Sequence, residues 1–430
     1  MKKIEFKNTL DFAQFLDSED PLKAFREKFY IPTMHGKEAI YFTGNSLGLQ
    51  PKSTQDYVLN ELEDWANYAV EGHFHARNPW MPYHEIFADQ LSRLVGALPH
   101  EVVAMNQLTV NLHLLLVSFY RPTPQRFRII CEAKAFPSDQ YAMESQVNYH
   151  GYSYNDAVIQ VAPRDGEHSL RTEDILATIA QYKDSIALVL FSGVNYYTGQ
   201  LFDMPAITAA AHKAGAYAGF DLAHAAGNVP LQLHDWDVDF ACWCSYKYLN
   251  SGPGGVSGLY IHERHSSDTS LPRFAGWWGH DKENRFLMEE GFKAMPSAEG
   301  WQLSNAPILS MAAHKAALDL FDEAGWDKVF AKAKALNQYL WHVLDEVNRL
   351  FADRPITVIT PRNESEHGCQ VSLLMMRDGK KIFEALKAAS VIADWREPNV
   401  IRIAPVPLYN SFEDVFRFGD ILREELKVES

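Results

Sequence analysis

Cysteine is scarce in this chain. Four in 430 residues (Cys131, Cys242, Cys244 and Cys369) are too few for a disulfide framework at this length. Cys242 and Cys244 are spaced to share one side of a strand, but no second Cys/His pair stands at zinc spacing, so they read as core thiols. Long apolar runs are missing as well: the longest, such as residues 112–120, fall far short of a membrane span. The opening MKKIEFKNTLDF carries charge where a signal peptide has its apolar stretch. There is no basic excess either, with 40 Lys and Arg against 55 Asp and Glu and a net charge of −15. That balance argues against a nucleic-acid partner and against a polybasic membrane tether. No repeat or low-complexity segment appears. These absences lead to the expectation of a soluble protein of the reducing cytoplasm.

What is present is material for a large core. At 47% hydrophobic and 22% charged, the composition is that of a globular enzyme, and 430 residues are long for one core but ordinary for two. The expected division is an N-terminal segment, 1–90, packing on a small domain; a large domain, 91–305; and a small C-terminal domain, 306–430. Early in the chain, YFTGNSLGLQP (41–51) is a turn-rich loop, where glycine permits close backbone approach. A helix is expected from Ser53, its cap, to Val70, with Val58, Leu62, Trp65 and Ala69 on one face. His73 and His75 form an HxH pair without a third ligand in view, so no metal is expected.

From Met105 onward strands alternate with helices. Thr109 is placed to cap the helix VNLHLLLVSFY, whose unpaired N–H groups and dipole suit a phosphate. FRIIC reads as a strand and AFPSD as the loop into a helix for which Asp139 is a possible N-cap. SIALVLFS (185–192) is almost wholly apolar, as a parallel strand buried on both faces requires. The helix after it has Pro205 in its first turn and Gly215 past its end, and AYAGF then ends at Asp221. This is a βαβ unit with Ser192 and Asp221 at strand carboxyl ends, where open α/β sheets bind ligands. The next strand is expected to end at Lys247, just before Gly252, Gly254, Gly255 and Gly258. Beyond residue 305 the pattern is that of a smaller α+β domain, so the fold class is α/β with a mostly parallel central sheet.

Each of these residues has an ordinary reading by itself: a surface lysine, an N-cap, a helix end that binds nothing. Together, an amine (Lys247), a carboxylate (Asp221), a histidine (His224) and a helix start (Thr109) form the set that a pyridoxal phosphate enzyme needs. The lysine makes a Schiff base with the aldehyde, the acid pairs with the ring nitrogen, and the helix start takes the phosphate. A nucleotide-binding reading of GPGGVSG fails, because the loop lacks the Walker lysine–hydroxyl pair and Ser257 stands where a third glycine belongs.

SGVNYYTGQ, GFDLAHAAGN, HDWDVDFACWCSYKYLNSGPGG and RIAPVPLYNSFEDV closely resemble kynureninases, and GNSLGLQP, LTVNLH and AKAFPSD match in order. The resemblance spans nearly the whole chain. It implies a fold-type-I pyridoxal phosphate enzyme of the aspartate-aminotransferase-like group. Such an enzyme is homodimeric with shared active sites, and it cleaves kynurenine or 3-hydroxykynurenine to alanine and anthranilate or 3-hydroxyanthranilate.

By motif match, the resemblance implies that Lys247 carries the cofactor and that Tyr246 is a proton shuttle that also bonds the phosphate. Asp221 pairs with the ring nitrogen, with His224 beside the ring. Phe136 stacks on the ring, and Pro137, Ser138 and Asp139 border it. Leu108, Thr109 and Ser192 contact the cofactor, and Trp277 and Asn305 reach it from the neighbouring subunit. Arg402 clamps the substrate carboxylate, a bidentate task for which lysine is a poor substitute. His73, Ser304 and Asn305 match the polar set around the aryl ring, favouring the 3-hydroxy substrate. The alternatives kept open are another fold-type-I enzyme, a cysteine desulfurase or an aminotransferase, and a non-catalytic cofactor-binding regulator. The first would need a cysteine on a mobile loop, and the last a DNA-binding module.

Overall fold

The computed structural model describes residues 5–268 and 270–428. The chain forms two compact units, the larger made of Thr54–Tyr196 and Leu201–Leu318. At its centre lie seven strands: β1 (Val102–Met105), β2 (Arg128–Glu132), β3 (Val158–Val161), β4 (Ile186–Ser192), β5 (Tyr217–Asp221), β6 (Phe240–Trp243) and β7 (Ser257–Ile261). They are ordered β1-β7-β6-β5-β4-β2-β3. Only β7 runs antiparallel to its neighbours, and the rest of the ladder is parallel.

The sheet is buried on both faces, which is why β4 and β6 tolerate almost no polar residue. The helix Leu108–Phe119 lays Leu112, Leu115 and Phe119 into the same core as Phe240, Cys242 and Leu259. The Phe119 and Phe240 rings stack at 4.7 Å. Two strand glycines make room for aromatic neighbours: a Cβ on Gly219 would lie 2.0 Å from the Phe240 ring, and one on Gly258 would lie 2.1 Å from Trp243. Both are cross-strand pairs in register.

Polar clusters fix the loops around the sheet. Fully buried Glu101 accepts the backbone N–H groups of Leu98 and Glu263 at 2.9 and 2.8 Å and bonds His234 at 3.0 Å. Asp239 gathers His212, His265, Arg264 and the Ala218 N–H, which hold its carboxyl far below the usual range even though burial alone would raise it.

Several local expectations are corrected. The helix after residue 53 spans Thr54–Tyr68, and the Ser53 hydroxyl is buried without a hydrogen-bond partner among the described residues, so it does not cap. That helix is also turned over relative to its apolar pattern. Its buried side chains are Glu61 and Asp64, whereas Leu59, Leu62, Trp65 and Tyr68 are exposed. Glu61 accepts from Trp80 Nε1 and the Tyr83 hydroxyl, both at 2.9 Å, and Asp64 takes the Arg77 backbone N–H and guanidinium. The demand of these donors outweighs the burial of the apolar stripe.

The smaller unit takes Met1–Ser53, Tyr197–Gln200 and Asp319–Ser430. Four antiparallel strands lie in the order Ile356–Val358, Val371–Met375, Val400–Ile403, Asp394–Arg396. Their apolar face packs with the helices Leu10–Ser18, Trp326–Arg349 and Phe412–Val428, through residues such as Leu16, Leu340, Val371, Ile401 and Phe418. Asp17, at the end of the first helix, accepts the N–H groups of Phe412 and Glu413 at 2.8 and 2.9 Å, so it caps the last helix of the chain.

Candidate active site

Three neighbouring parallel strands, β2, β4 and β5, end in polar residues: Glu132, Ser192 and Asp221. Ser192 and Asp221 are paired in register, and Asp221 is paired in turn with Cys242 of β6. An apolar sheet thus carries a row of polar side chains along its carboxyl edge, where ligands of this architecture bind.

Lys247 lies in the turn four residues past the end of β6, not at the strand's last position as expected, because the ladder stops at Trp243. Its Nζ is 3.0 Å from His224 Nε2 and 5.9 Å from the centroid of the Phe136 ring. His224 comes from the turn after β5, and its backbone carbonyl accepts from Asn228 Nδ2 at 2.8 Å.

Asp221 accepts the Ala223 N–H at 2.7 Å. Its carboxyl is raised by burial, while the Ala223 bond, the Lys247 charge and a hydrogen bond with Asp139 pull it back down. Asp139 sits in the first turn of the helix Pro137–Tyr149, whose N-cap is Phe136, so Asp139 is not the cap. Its carboxyl faces Asp221 and is pushed well above the usual range, by burial and then by the charge and hydrogen bond of Asp221. Within the pair, Asp221 holds the charge and Asp139 the proton. Tyr246 is half-buried, and its phenol is raised by burial and then by Cys244 beside it.

Gln107 rather than Thr109 takes the N-cap position of the helix Leu108–Phe119, without a side-chain cap bond, and Thr109 lies inside the first turn. The Thr109 hydroxyl is 2.8 Å from that of Ser138, in the first turn of the neighbouring helix, so two helix starts bring their hydroxyls together. Leu108 rests against the large core and Pro137 occupies the first turn of its helix. Phe136 is partly exposed and meets Tyr196 edge-on at 5.2 Å.

Pyridoxal phosphate fits this donor set. Lys247 offers an amine beside an exposed aromatic face, and the paired helix starts offer N–H and hydroxyl donors for a phosphate. Asp139 Oδ1 is buried without a hydrogen-bond partner among the described residues, next to the charged Asp221. It is an acceptor suited to a donor from a ligand.

The remaining expected residues have other surroundings. His73 Nδ1 bonds the Val70 carbonyl at 2.9 Å and its ring meets Trp80 edge-on. Trp277 donates to the Arg285 carbonyl at 3.1 Å and is partly exposed. Exposed Asn305 borders a cavity of about 350 Å³ with Ser304, Gln107 and Gly254. In the smaller unit, buried Arg402 stands opposite Asp394 in register and bonds its carboxylate through Nε and Nη2. Glu132 escaped the sequence reading. Its signal was there, a lone acid closing the apolar run IIC.

The four cysteines are buried, and burial raises the thiols of Cys131, Cys242, Cys244 and Cys369, the last to about 12. None offers the exposed thiolate that a desulfurase needs.

Residues 329–422 match the model of the kynureninase C-terminal domain. A kynureninase of Flavobacterium psychrophilum is 57% identical over 97% of this chain and 98% of its own length. One of Flavobacterium johnsoniae is 55% identical over 97% and 98%. Among solved structures, a C-DES variant with glycine covalently linked to its PLP cofactor has a TM-score of 0.73 at 16% identity, covering 89% of this chain and 96% of that one. That likeness carries the fold, and the full-length identities carry the family: this chain belongs to the kynureninases.

Proposed function

We infer that this chain is a pyridoxal phosphate-dependent hydrolase that cleaves the Cβ–Cγ bond of L-kynurenine or 3-hydroxy-L-kynurenine. The products are L-alanine and anthranilate or 3-hydroxyanthranilate, a step of tryptophan catabolism that also feeds NAD synthesis. The observation that carries this reading is identity above 50% with kynureninases along almost the entire chain. When bound, the cofactor supplies an electron sink for a carbanion next to the substrate's amino carbon.

The residues divide the remaining work. Lys247 anchors the cofactor and moves the proton at the substrate Cα, with His224 at hydrogen-bond distance from its amine. Asp221 holds a negative charge against the ring nitrogen, with Asp139 as its neutral neighbour, and Phe136 lies on the ring face. Leu108, Thr109, Pro137, Ser138 and Ser192 border the cofactor, with the phosphate at the paired helix starts. Tyr246 bonds the phosphate and passes a proton at the substrate carbonyl. Its raised phenol keeps it in the acid form needed to donate.

Arg402 binds the substrate carboxylate, and His73, Ser304 and Asn305 surround the aryl group and favour the 3-hydroxy substrate. Trp277 and Asn305 act in the site of a second copy, so the working form is a homodimer. That assembly is supported by the exposed apolar side chains of the helix Thr54–Tyr68 and the turn after it. The protein acts in the cytoplasm; no helix among the described residues is long and apolar enough to cross a membrane.

The test is direct. Protein loaded with pyridoxal phosphate and given kynurenine should release fluorescent anthranilate and an equal amount of alanine. Uptake of the cofactor without either product would overturn the reading. With both substrates competing in one assay, a higher kcat/KM for 3-hydroxykynurenine is expected, and equal values would remove the preference.

A further inference from the structure

The roles above leave Glu132 without a task, although a buried carboxyl in an apolar sheet is costly unless something uses or satisfies it. Glu132 is 2% exposed and closes β2, with its carboxyl bonded to Ser192, the last residue of β4. Both hydrogen-bond donors of Ser192 point at it. The Ser192 backbone N–H is 3.2 and 3.3 Å from its two oxygens, and the Ser192 hydroxyl donates to Oε1 at 2.5 Å. Ser192 is therefore a donor held by β2, and its hydroxyl proton is committed in one direction.

The same carboxyl belongs to a group of three. Asp221 on β5 and Asp139 on the helix Pro137–Tyr149 act on it or feel its charge, and the thiol of Cys131 on its own strand feels it too. Lys247 is the cation that acts on Asp139 and Asp221. Three buried carboxyls near one ammonium cannot all ionise cheaply, so at least one keeps a proton. Hydrogen bonding decides which one. Glu132 has the two donors of Ser192, and Asp221 has the Ala223 N–H with the charge of Lys247 in addition, whereas Asp139 Oδ1 has no donor among the described residues.

We propose that Glu132 is a positioning residue of the cofactor site: it fixes the Ser192 hydroxyl and, through Ser192, sets a buried negative charge beside Asp221, the strand-end acid that would face the ring nitrogen. This rests on the pyridoxal phosphate reading of the site. The directions of the shifts agree. Asp139 is driven up by burial, Asp221 and then Glu132, while the bonds from Ser192 work against the rise that burial imposes on Glu132.

The experiment titrates the visible absorption of the bound cofactor against pH and measures cofactor affinity for wild type, Glu132→Gln and Glu132→Asp. Glu132→Gln keeps the shape and removes the charge. It should still take up pyridoxal phosphate, with the spectral midpoint lowered by about half a pH unit or more, because a nearby negative charge that favours the protonated chromophore is gone. Glu132→Asp retains the charge and should return the midpoint most of the way to wild type. An unmoved midpoint in the Gln variant, or an equal move in the Asp variant, overturns the proposal.

Should Glu132→Gln not fold, Ser192→Ala provides the same reading. Without its hydroxyl donor Glu132 neutralises more readily, so the midpoint should again fall, and a fixed midpoint there overturns the proposal equally. A wild type that binds no pyridoxal phosphate sinks the functional reading itself. A wild type that binds it and turns over, alongside unmoved variants, sinks only the role of Glu132.

Discussion

At the scale of single residues, Lys247 and Tyr246 are each proposed both to hold the cofactor and to move a proton. Lys247 and Tyr246 are adjacent in the chain, yet their surroundings differ: Lys247 meets His224, whereas Tyr246 is raised by burial and Cys244. Tyr246→Phe removes one acid and a hydroxyl while keeping the ring. Turnover should fall on the order of 100-fold, with the cofactor still bound. Steady-state turnover and the bound-cofactor spectrum read the two effects separately, and unchanged turnover would remove Tyr246 from the mechanism. Lys247→Ala should leave no cofactor that borohydride can fix to the chain, as mass spectrometry of the treated protein would report.

At the scale of elements, much was legible because burial on both faces leaves a plain mark. SIALVLFS announced β4, and the polar residues after the apolar runs announced the carboxyl edge of the sheet. Capping was less legible. Thr109 and Asp139 are good cap residue types, but each lies within the first turn of its helix, and Gln107 and Phe136 take the cap positions. The helix Thr54–Tyr68 misled most, since a periodic apolar stripe says that a face will be covered but not by what. Glu61 and Asp64 face the body of their own unit only because Arg77, Trp80 and Tyr83 supply donors there, and those partners are invisible to periodicity. Glu132 was missed because a single acid at a strand end resembles ordinary punctuation until its neighbour on β4 is known. The strand glycines give a test at this scale. In Gly219→Val the new side chain meets the Phe240 ring across β5 and β6, and overpacking should cost about 1–3 kcal/mol. A lowered denaturation midpoint is expected, and wild-type stability would show that the Phe240 ring has another place to go.

At the scale of the whole molecule, the turned-over helix becomes an argument about assembly. Trp65 is 60% exposed, and Val70 and Phe74 in the following turn are 69% and 59% exposed. Large exposed apolar side chains gathered in one stretch of the chain suit cover by a second copy, the homodimer proposed above. Trp65→Glu should shift the protein toward monomer in sedimentation and lower its activity, since Trp277 and Asn305 are proposed to serve the partner's site. A dimer of unchanged stability would place the interface elsewhere.

Acid stability is a property of the same whole, and its sign can be worked out from two groups in the larger unit. His314 is buried and stacked on Phe87, and burial lowers its pKa from 6.5 to about 3. Burial alone would raise Glu299, but its hydrogen bonds from His84 and Lys282 bring it down from 4.5 to about 2. In both cases the unfolded chain takes up the proton first. Stability should therefore fall as pH drops below 6.5 on account of His314, and more steeply below 4.5 as Glu299 joins. The slope from His314 approaches about 1.4 kcal/mol per pH unit. His212 and His234 are raised, by their hydrogen bonds to Asp239 and Glu101, and work in the opposite sense below their folded pKa values. The difference between wild type and His314→Gln is therefore the proper readout. Denaturant midpoints measured at several pH values between 7.5 and 4.5 should converge toward acid, the variant losing less stability than wild type over about that range. Parallel curves would mean that His314 gains its proton without opening the core.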